Sequence, residues 1–399
     1  MARALVAMAM AMAVLVAACA PGADRSVTAT TPATIGSDAA DRPTSSGPPS
    51  TVPRTTGPPA TVPPRSFTLA FTGDLLLHER VNALAAANAV DEPDRRYDYR
   101  PMMAALEPLV AGADWAVCHL EVNLSADNSR LRPYPRFRAP GDIAGDVRDI
   151  GYDSCSTASN HSLDHGPEGV TETLEVLDRA GLAHSGTARS EEEAADSIWI
   201  EVGDAAVAHL SYTYWFNGFT VPADTPWLSN QIDESRILAD AADARGAGAD
   251  YVVVSLHWGE QYDSEPNAQQ RDLGPRLLAS DDIDLIVGHH AHVVQPIERI
   301  DGEWLVYGLG NLLSAYREAA RRDQLLVVAT VTEDVDGRFA TELRAVPLYL
   351  EGTTLTIHRT DPAARADVSP ELEAELDASW ARVRAVLEGG TGWNDLDVG

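Results

Sequence analysis

The chain has 399 residues, a formal net charge of −30 and not one lysine among its 30 basic side chains. So large an excess of carboxylates excludes the basic footprint that nucleic acid or an anionic membrane surface requires. It leaves room for a small arginine-lined anion site inside an acidic protein.

Residues 1–19 hold one arginine and then an apolar, alanine-rich run, the pattern of an export signal too short for a membrane span. Val16-Ala17-Ala18-Cys19 resembles the lipobox of bacterial lipoproteins. That resemblance implies cleavage before Cys19, a lipid anchor on it, and a mature chain on the outer face of a bacterial cell membrane. Residues 20–65 are rich in Pro, Thr and Ser and have too little apolar area to offset the entropy of ordering, so they read as an extended tether. Residues 66–360 are expected to form one α/β domain and 361–399 a C-terminal helix and tail docked on its outside.

SFTLAFTG (66–73) reads as a first strand delivering Asp74 at its carboxyl end. Tyr99 to Ala111 has helical spacing. WAVCHL (115–120) is a second strand ending in Glu121, and its alternation places His119 on the same face as Glu121. His119 is either a ligand or, the favoured reading, a core histidine with one hydrogen bond. Cys118 and Cys155 lie inside apolar runs and are expected to be buried free thiols. RPYPRFRAP (132–140) is a proline-stiffened arginine loop, in which Arg136 and Arg138 are candidates for gripping a carboxylate or phosphate; ordinary surface salt bridges are the plainer role.

A third strand, 152–159, ends in Asn160 and His161. Asn160 offers a neutral oxygen ligand, and His161 a proton donor or transition-state clamp. Asp164 can orient His161 or cap the helix beginning near Glu168, capping being the simpler role. That helix, 168–180, gathers Val170, Leu174 and Leu177 on one side. A hairpin around Gly203-Asp204 leads into YTYWFNGF (212–219), an aromatic patch that suits a cleft wall, a lid or the core equally. A helix over 233–245 precedes strand 251–256, which ends in His257 with Trp258 and Glu260 beside it. A helix around 269–278 returns the chain to DLIVGHHAH (284–292), in which an extended His290-x-His292 pair would turn both imidazoles the same way. Strand 304–309 then delivers Asn311. Antiparallel strands near 325–358 and a helix over 370–387 complete the chain.

Five strands thus deliver metal-competent groups at their carboxyl ends: Asp74, Glu121, Asn160, His257 and the His290/His292 pair. Carboxyl ends are where open α/β sheets bind ligands. The set suffices for one or two divalent transition metal ions sharing a carboxylate, and mixed oxygen and nitrogen donors suit manganese, iron or zinc. His161 with Asp164 forms the candidate catalytic pair. Arg136, Arg138, Trp258, Glu260 and Asn311 are the candidate substrate contacts.

The order GD (73–74), LEVN (120–123), SNHSLDHG (159–166), HWGEQY (257–262), DLIVGHHAHVVQP (284–296) and YGLGN (307–311) resembles the CapA family of poly-γ-glutamate capsule synthesis proteins. The resemblance covers about residues 67–350. It implies a fold similar to that of calcineurin-like metallophosphoesterases, a four-layer α/β/β/α sandwich of two mixed sheets with metals at one end. It also implies an anionic polymer or phosphate-containing substrate and membrane synthase subunits as partners. Two departures stand out. The histidine that the phosphoesterase pattern places two residues after its first aspartate is Leu76, with His78 two further on, and Glu121 stands for a bridging aspartate.

Overall fold

A computed structural model describes residues 64–399, except Asp94, Ser197 and Ile198. The signal, Cys19 and nearly all of the expected tether lie outside the described residues. Among those described, no helix is long and apolar enough to cross a membrane.

Alternation along β1 (Ser66–Leu75) decides the architecture. Phe67, Leu69 and Phe71 point to one face while Ala70 and Leu75 join a core on the other, so both faces must be covered. Apart from a small parallel pair, Asn123–Ser125 with Arg138–Pro140, the other strands belong to two main sheets and begin with β2 (Trp115–Leu120), β3 (Ser154–Ser156), β4 (Ala183–Ser185), β5 (Trp199–Val202), β6 (Ala205–Thr213), β7 (Tyr251–His257) and β8 (Leu285–His289). After them come β9 (Ile297–Ile300), β10 (Glu303–Val306), β11 (Asn311–Leu313), β12 (Asp323–Glu333), β13 (Phe339–Leu350), β14 (Ile357–Arg359) and β15 (Asp397–Val398). One sheet runs β14-β13-β12-β1-β2-β3-β4, with β11 beside β1 and β15 beside β13; the other runs β9-β10-β8-β7-β6-β5. Each mixes parallel and antiparallel neighbours.

Between the sheets Phe67, Leu69 and Phe71 meet Tyr251, Val253, Leu285 and Val287. The outer face of the first sheet is covered by α1 (Glu79–Asn88), α2 (Asp142–Ile150) and α3 (Gly166–Ala180), which contribute Val81, Val147, Val170, Leu174 and Leu177. The outer face of the second is covered by α4 (Glu234–Gly246) and α5 (Ala268–Leu278), whose Ile237, Ala241, Leu273 and Leu277 pack on Val252 and Val254. The result is the expected four-layer α/β/β/α sandwich.

Three expectations are corrected. The helix expected over 99–111 breaks into short turns, Arg100–Met103, Ala104–Leu106 and Glu107–Val110, because Pro108 lacks the N–H a continuous helix needs. The C-terminal helix α6 (Pro370–Leu387) is not an outer appendage: Val383 and Leu387 enter the layer between the sheets, and β15 pairs with β13. Cys118 and Cys155 are not free thiols. They are register partners on β2 and β3, with Cα atoms 4.4 Å apart, joined by a disulfide.

Candidate metal centre and substrate cleft

β1, β2, β7 and β8 end together, and glycine makes the approach possible. A Cβ at Gly73 would lie 2.1 Å from the Gly310 carbonyl oxygen, and one at Gly288 would lie 1.9 Å from that of Tyr307. In this gap Asp74, His119 and His257 form one group of potential ligands. Glu121, His290 and His292 form a second, and within each the donor atoms lie within 4.8 Å of one another. Asn160 adds its Oδ1, 2.8 Å from His257 Nε2. All six expected metal ligands are therefore brought together.

The structure places His119, read as either a ligand or a core histidine, beside Asp74 and His257. Its ring is fully buried and stands in register with Asp74, with Nε2 2.8 Å from His257 Nδ1 and Nδ1 2.8 Å from Ser156 Oγ. Its imidazole is one of the two grouped with Asp74 as potential ligands. His289 joins too, ending β8 with Nδ1 3.3 Å from Asp74 Oδ1 and its ring stacked 4.0 Å from that of His119. The His290/His292 pair is not extended. Both residues sit at positive φ, 85° and 57°, a strained backbone that nonetheless sets their rings 5.7 Å apart.

Electrostatics fit a cation. Asp74 Oδ1, both carboxylate oxygens of Glu121, and Nδ1 of His289 and His290 are buried without hydrogen-bond partners. So many orphaned acceptors at one point would be costly in a core but are what a divalent ion satisfies. Burial pushes the Glu121 carboxyl up to about 7. Burial also raises Asp74, but the imidazoles of His289 and His292 outweigh it and hold that carboxyl well below the usual range. Burial lowers His290 to about 3, so its ring is neutral and keeps one nitrogen lone pair with which to ligate. Asp74, Glu121, Asn160, His257, His290 and His292, with His119, therefore fit one or two divalent ions.

A cleft of about 750 Å³ opens over this centre. His161 lines it, with Nδ1 2.7 Å from Asp164 Oδ2. Asp164 does not cap α3, whose N-cap is His165; its carboxylate orients His161 and accepts the Phe137 N–H at 2.7 Å. Arg136 is a wall residue, its Nε and Nη2 donating to the Asp164 carbonyl and its guanidinium lying 5.0 Å from the Phe219 ring centroid. Of the aromatic patch, Trp215, Asn217 and Phe219 line the cleft, whereas Phe216 enters the core.

Four expected substrate contacts are corrected. Arg138 is buried against Glu172 at 3.3 Å, and Trp258 is core, donating to the Tyr307 carbonyl at 3.1 Å. Asn311 is fully buried, with Oδ1 3.0 Å from His292 Nδ1, so it orients a ligand rather than a substrate. Glu260 is exposed outside the cleft lining. Sequence reasoning also missed Tyr262 and Tyr316. With Tyr134, Trp215, Phe219 and Tyr262, every exposed large aromatic among the described residues lies on this one cleft.

Two mixed sheets stacked between helical layers, with carboxylates and imidazoles gathered at their strand ends, define an α/β/β/α sandwich protein with a candidate metal centre. Residues 68–316 match the family model "Bacterial capsule synthesis protein PGA_cap", and the chain belongs to that family. Among curated proteins, it is 26% identical over 315 residues to the PGA biosynthesis protein CapA of Bacillus subtilis, covering 78% of this chain and 79% of that protein. It is 27% identical over 293 residues to a probable polyglutamine synthesis accessory protein of Mycobacterium tuberculosis, covering 69% and 75%. Among solved structures, the calcineurin-like phosphoesterase YfkN of Bacillus subtilis aligns with a TM-score of 0.42 at 13% identity, over 81% of this chain and 99% of that one.

Proposed function

We propose that this protein is a CapA-type, metal-dependent hydrolase or transferase that acts in the synthesis, release or attachment of an anionic surface polymer such as poly-γ-glutamate. The observation that carries the reading is the pair of acid-and-imidazole groups buried at the ends of both sheets, with their unpartnered carboxylate oxygens. Bound divalent ions supply Lewis-acid polarisation of the attacked centre and lower the pKa of the attacking water.

The chain's own residues do the rest. The Asp164 carboxylate accepts a hydrogen bond from Nδ1–H of His161, which leaves the Nε2 lone pair to take up and return a proton at the attacking or leaving oxygen. Asn311 holds the His292 ring, and Leu76 with the buried Phe137 lines the cleft with apolar surface. The aromatic rim offers a polymer apolar surface on which to lie. The disulfide supports an oxidising, extracytoplasmic compartment, in keeping with the lipobox-like Cys19 and anchorage to the outer face of the cell membrane. Membrane synthase subunits would be the partners there.

A second reading is a polymer-binding or assembly subunit without turnover, favoured by Leu76 in place of a ligand and by the exposed rim. Elemental analysis of the full chain beside Asp74→Ala decides the foundation. Close to two manganese, iron or zinc ions, lost in the variant, support the enzyme. Metal absent, or unchanged in the variant, refutes it. Turnover of a chromogenic phosphodiester or of poly-γ-glutamate then separates enzyme from binding subunit.

A further inference from the structure

Four residues beyond Asp74 the chain places a histidine that belongs to neither group of potential ligands. His78 occupies the N-cap position of α1, yet its side chain makes no capping bond. Its ring lines the cleft instead, held between Phe137 and Tyr316 in edge-to-face contacts of 5.6 and 5.1 Å. The backbone N–H of Ala315 donates to Nδ1 at 3.2 Å. With that lone pair taken, a neutral imidazole must carry its proton on Nε2. Nε2 has no side-chain partner among the described residues and is not among the buried unpartnered atoms, so it is the ring nitrogen turned to the cleft.

We infer that His78 is a substrate-binding residue, donating a hydrogen bond from Nε2–H to an oxygen of a phosphoryl or similar oxyanion seated over the candidate metal centre. The inference rests on the reading of the cleft as an oxyanion site. Phe137 packs edge-to-face on His161 at 4.8 Å as well as on His78, so the two imidazoles flank one ring. They are chemically complementary. His161 has its Nδ1 proton directed at Asp164 and offers a lone pair on Nε2, whereas His78 accepts at Nδ1 and offers a proton on Nε2. A nitrogen that carries a proton has no lone pair for a metal. His78 is therefore not a ligand displaced by two residues from the position of Leu76 but a group with a different task. Burial and the neighbouring His292 push its pKa down to about 4, which keeps the ring neutral at ordinary pH.

The test uses the metal-loaded full chain with inorganic phosphate as probe, by titration calorimetry, and metal content by elemental analysis. His78→Ala is expected to weaken phosphate binding roughly tenfold, the scale of one hydrogen bond to a charged group, with metal content unchanged. His78→Gln, which restores an N–H donor, should recover most of the loss. A long-range 1H–15N spectrum should show His78 as the Nε2–H tautomer between pH 6 and 8, with its Nε2 resonance shifting on addition of phosphate, a readout that a merely structural role would not move. Loss of metal in His78→Ala, phosphate affinity unchanged in that variant, or an Nδ1–H tautomer would each overturn the inference. A wild-type chain that loads metal but binds no phosphate would overturn the oxyanion reading and the donor role together. A Nε2–H tautomer with phosphate affinity unchanged in His78→Ala would overturn the donor role alone.

Discussion

The disulfide between β2 and β3 allows a worked prediction. It joins positions 37 residues apart, and in the chain-entropy treatment a loop of that length removes about 13 cal/mol/K from the unfolded ensemble. At 25 °C this is about 4 kcal/mol of stability. With an unfolding entropy of about 2.1 cal/mol/K per residue over ~335 residues, the melting temperature should fall by roughly 5 °C on its removal. The perturbation is Cys118→Ala with Cys155→Ala, read by urea unfolding and thermal melting of the oxidised chain beside the variant. Reduced wild type should match the variant. The register pair immediately beyond the bridge is His119 with Ser156, so the variant should also bind metal more weakly. If oxidised and reduced wild type unfold within about 0.5 kcal/mol of each other, loop closure is not what this bridge contributes and the reasoning fails.

Saturating manganese or zinc at about 100 times its dissociation constant should stabilise the chain by about 2.7 kcal/mol, a rise of roughly 4 °C that His257→Ala and His290→Ala abolish in a thermal melt. Asn311→Ala removes the partner 3.0 Å from His292 Nδ1 and should lower metal affinity by roughly 10- to 100-fold, measured by competition with a chelator, while circular dichroism stays unchanged. Gly288→Ala would place a methyl 1.9 Å from the Tyr307 carbonyl oxygen, so β8 must move; a loss of about 3 kcal/mol or more is expected in urea unfolding. Asp164→Asn should reduce chromogenic phosphodiester turnover by about 100-fold with metal content intact, because His161 loses its anionic partner.

What the sequence makes legible here is whatever follows from the ends of strands. Asp74, Glu121 and His257 each come directly after or at the end of a buried apolar run, and parallel strands carry such ends to one edge whatever the details of packing. Groups whose role depends on contacts between distant segments are not legible in that way. His119 has the alternation of a core residue, and only the stacking of β2 against β7 brings it to His257. Asn311 and Trp258 sit in motifs full of functional residues, yet they act one layer behind, on His292 and on the Tyr307 carbonyl. The two arginines of the proline loop differ by two positions, and only the course of the loop sends Arg136 to the cleft and Arg138 to Glu172. The left-handed turns at His290 and His292 carry no glycine to announce them. The pairing of Cys118 with Cys155 requires the adjacency of β2 and β3, which apolar runs alone do not reveal.

β1 also has a mechanical meaning. The chain enters the described domain at Arg65, whose guanidinium grips Glu333 at 2.8 Å and Asp250 at 2.9 Å, one on each sheet side of the entry point. Ten residues further on, about 30 Å along an extended strand, β1 closes at the metal centre. A pull on the N-terminal segment would therefore act along the axis of an interior strand, with β12 and β2 on its flanks resisting by sliding rather than by unzipping. Rows of hydrogen bonds loaded lengthwise share the strain, so the centre at the far end is shielded from tension on the chain that leads to it.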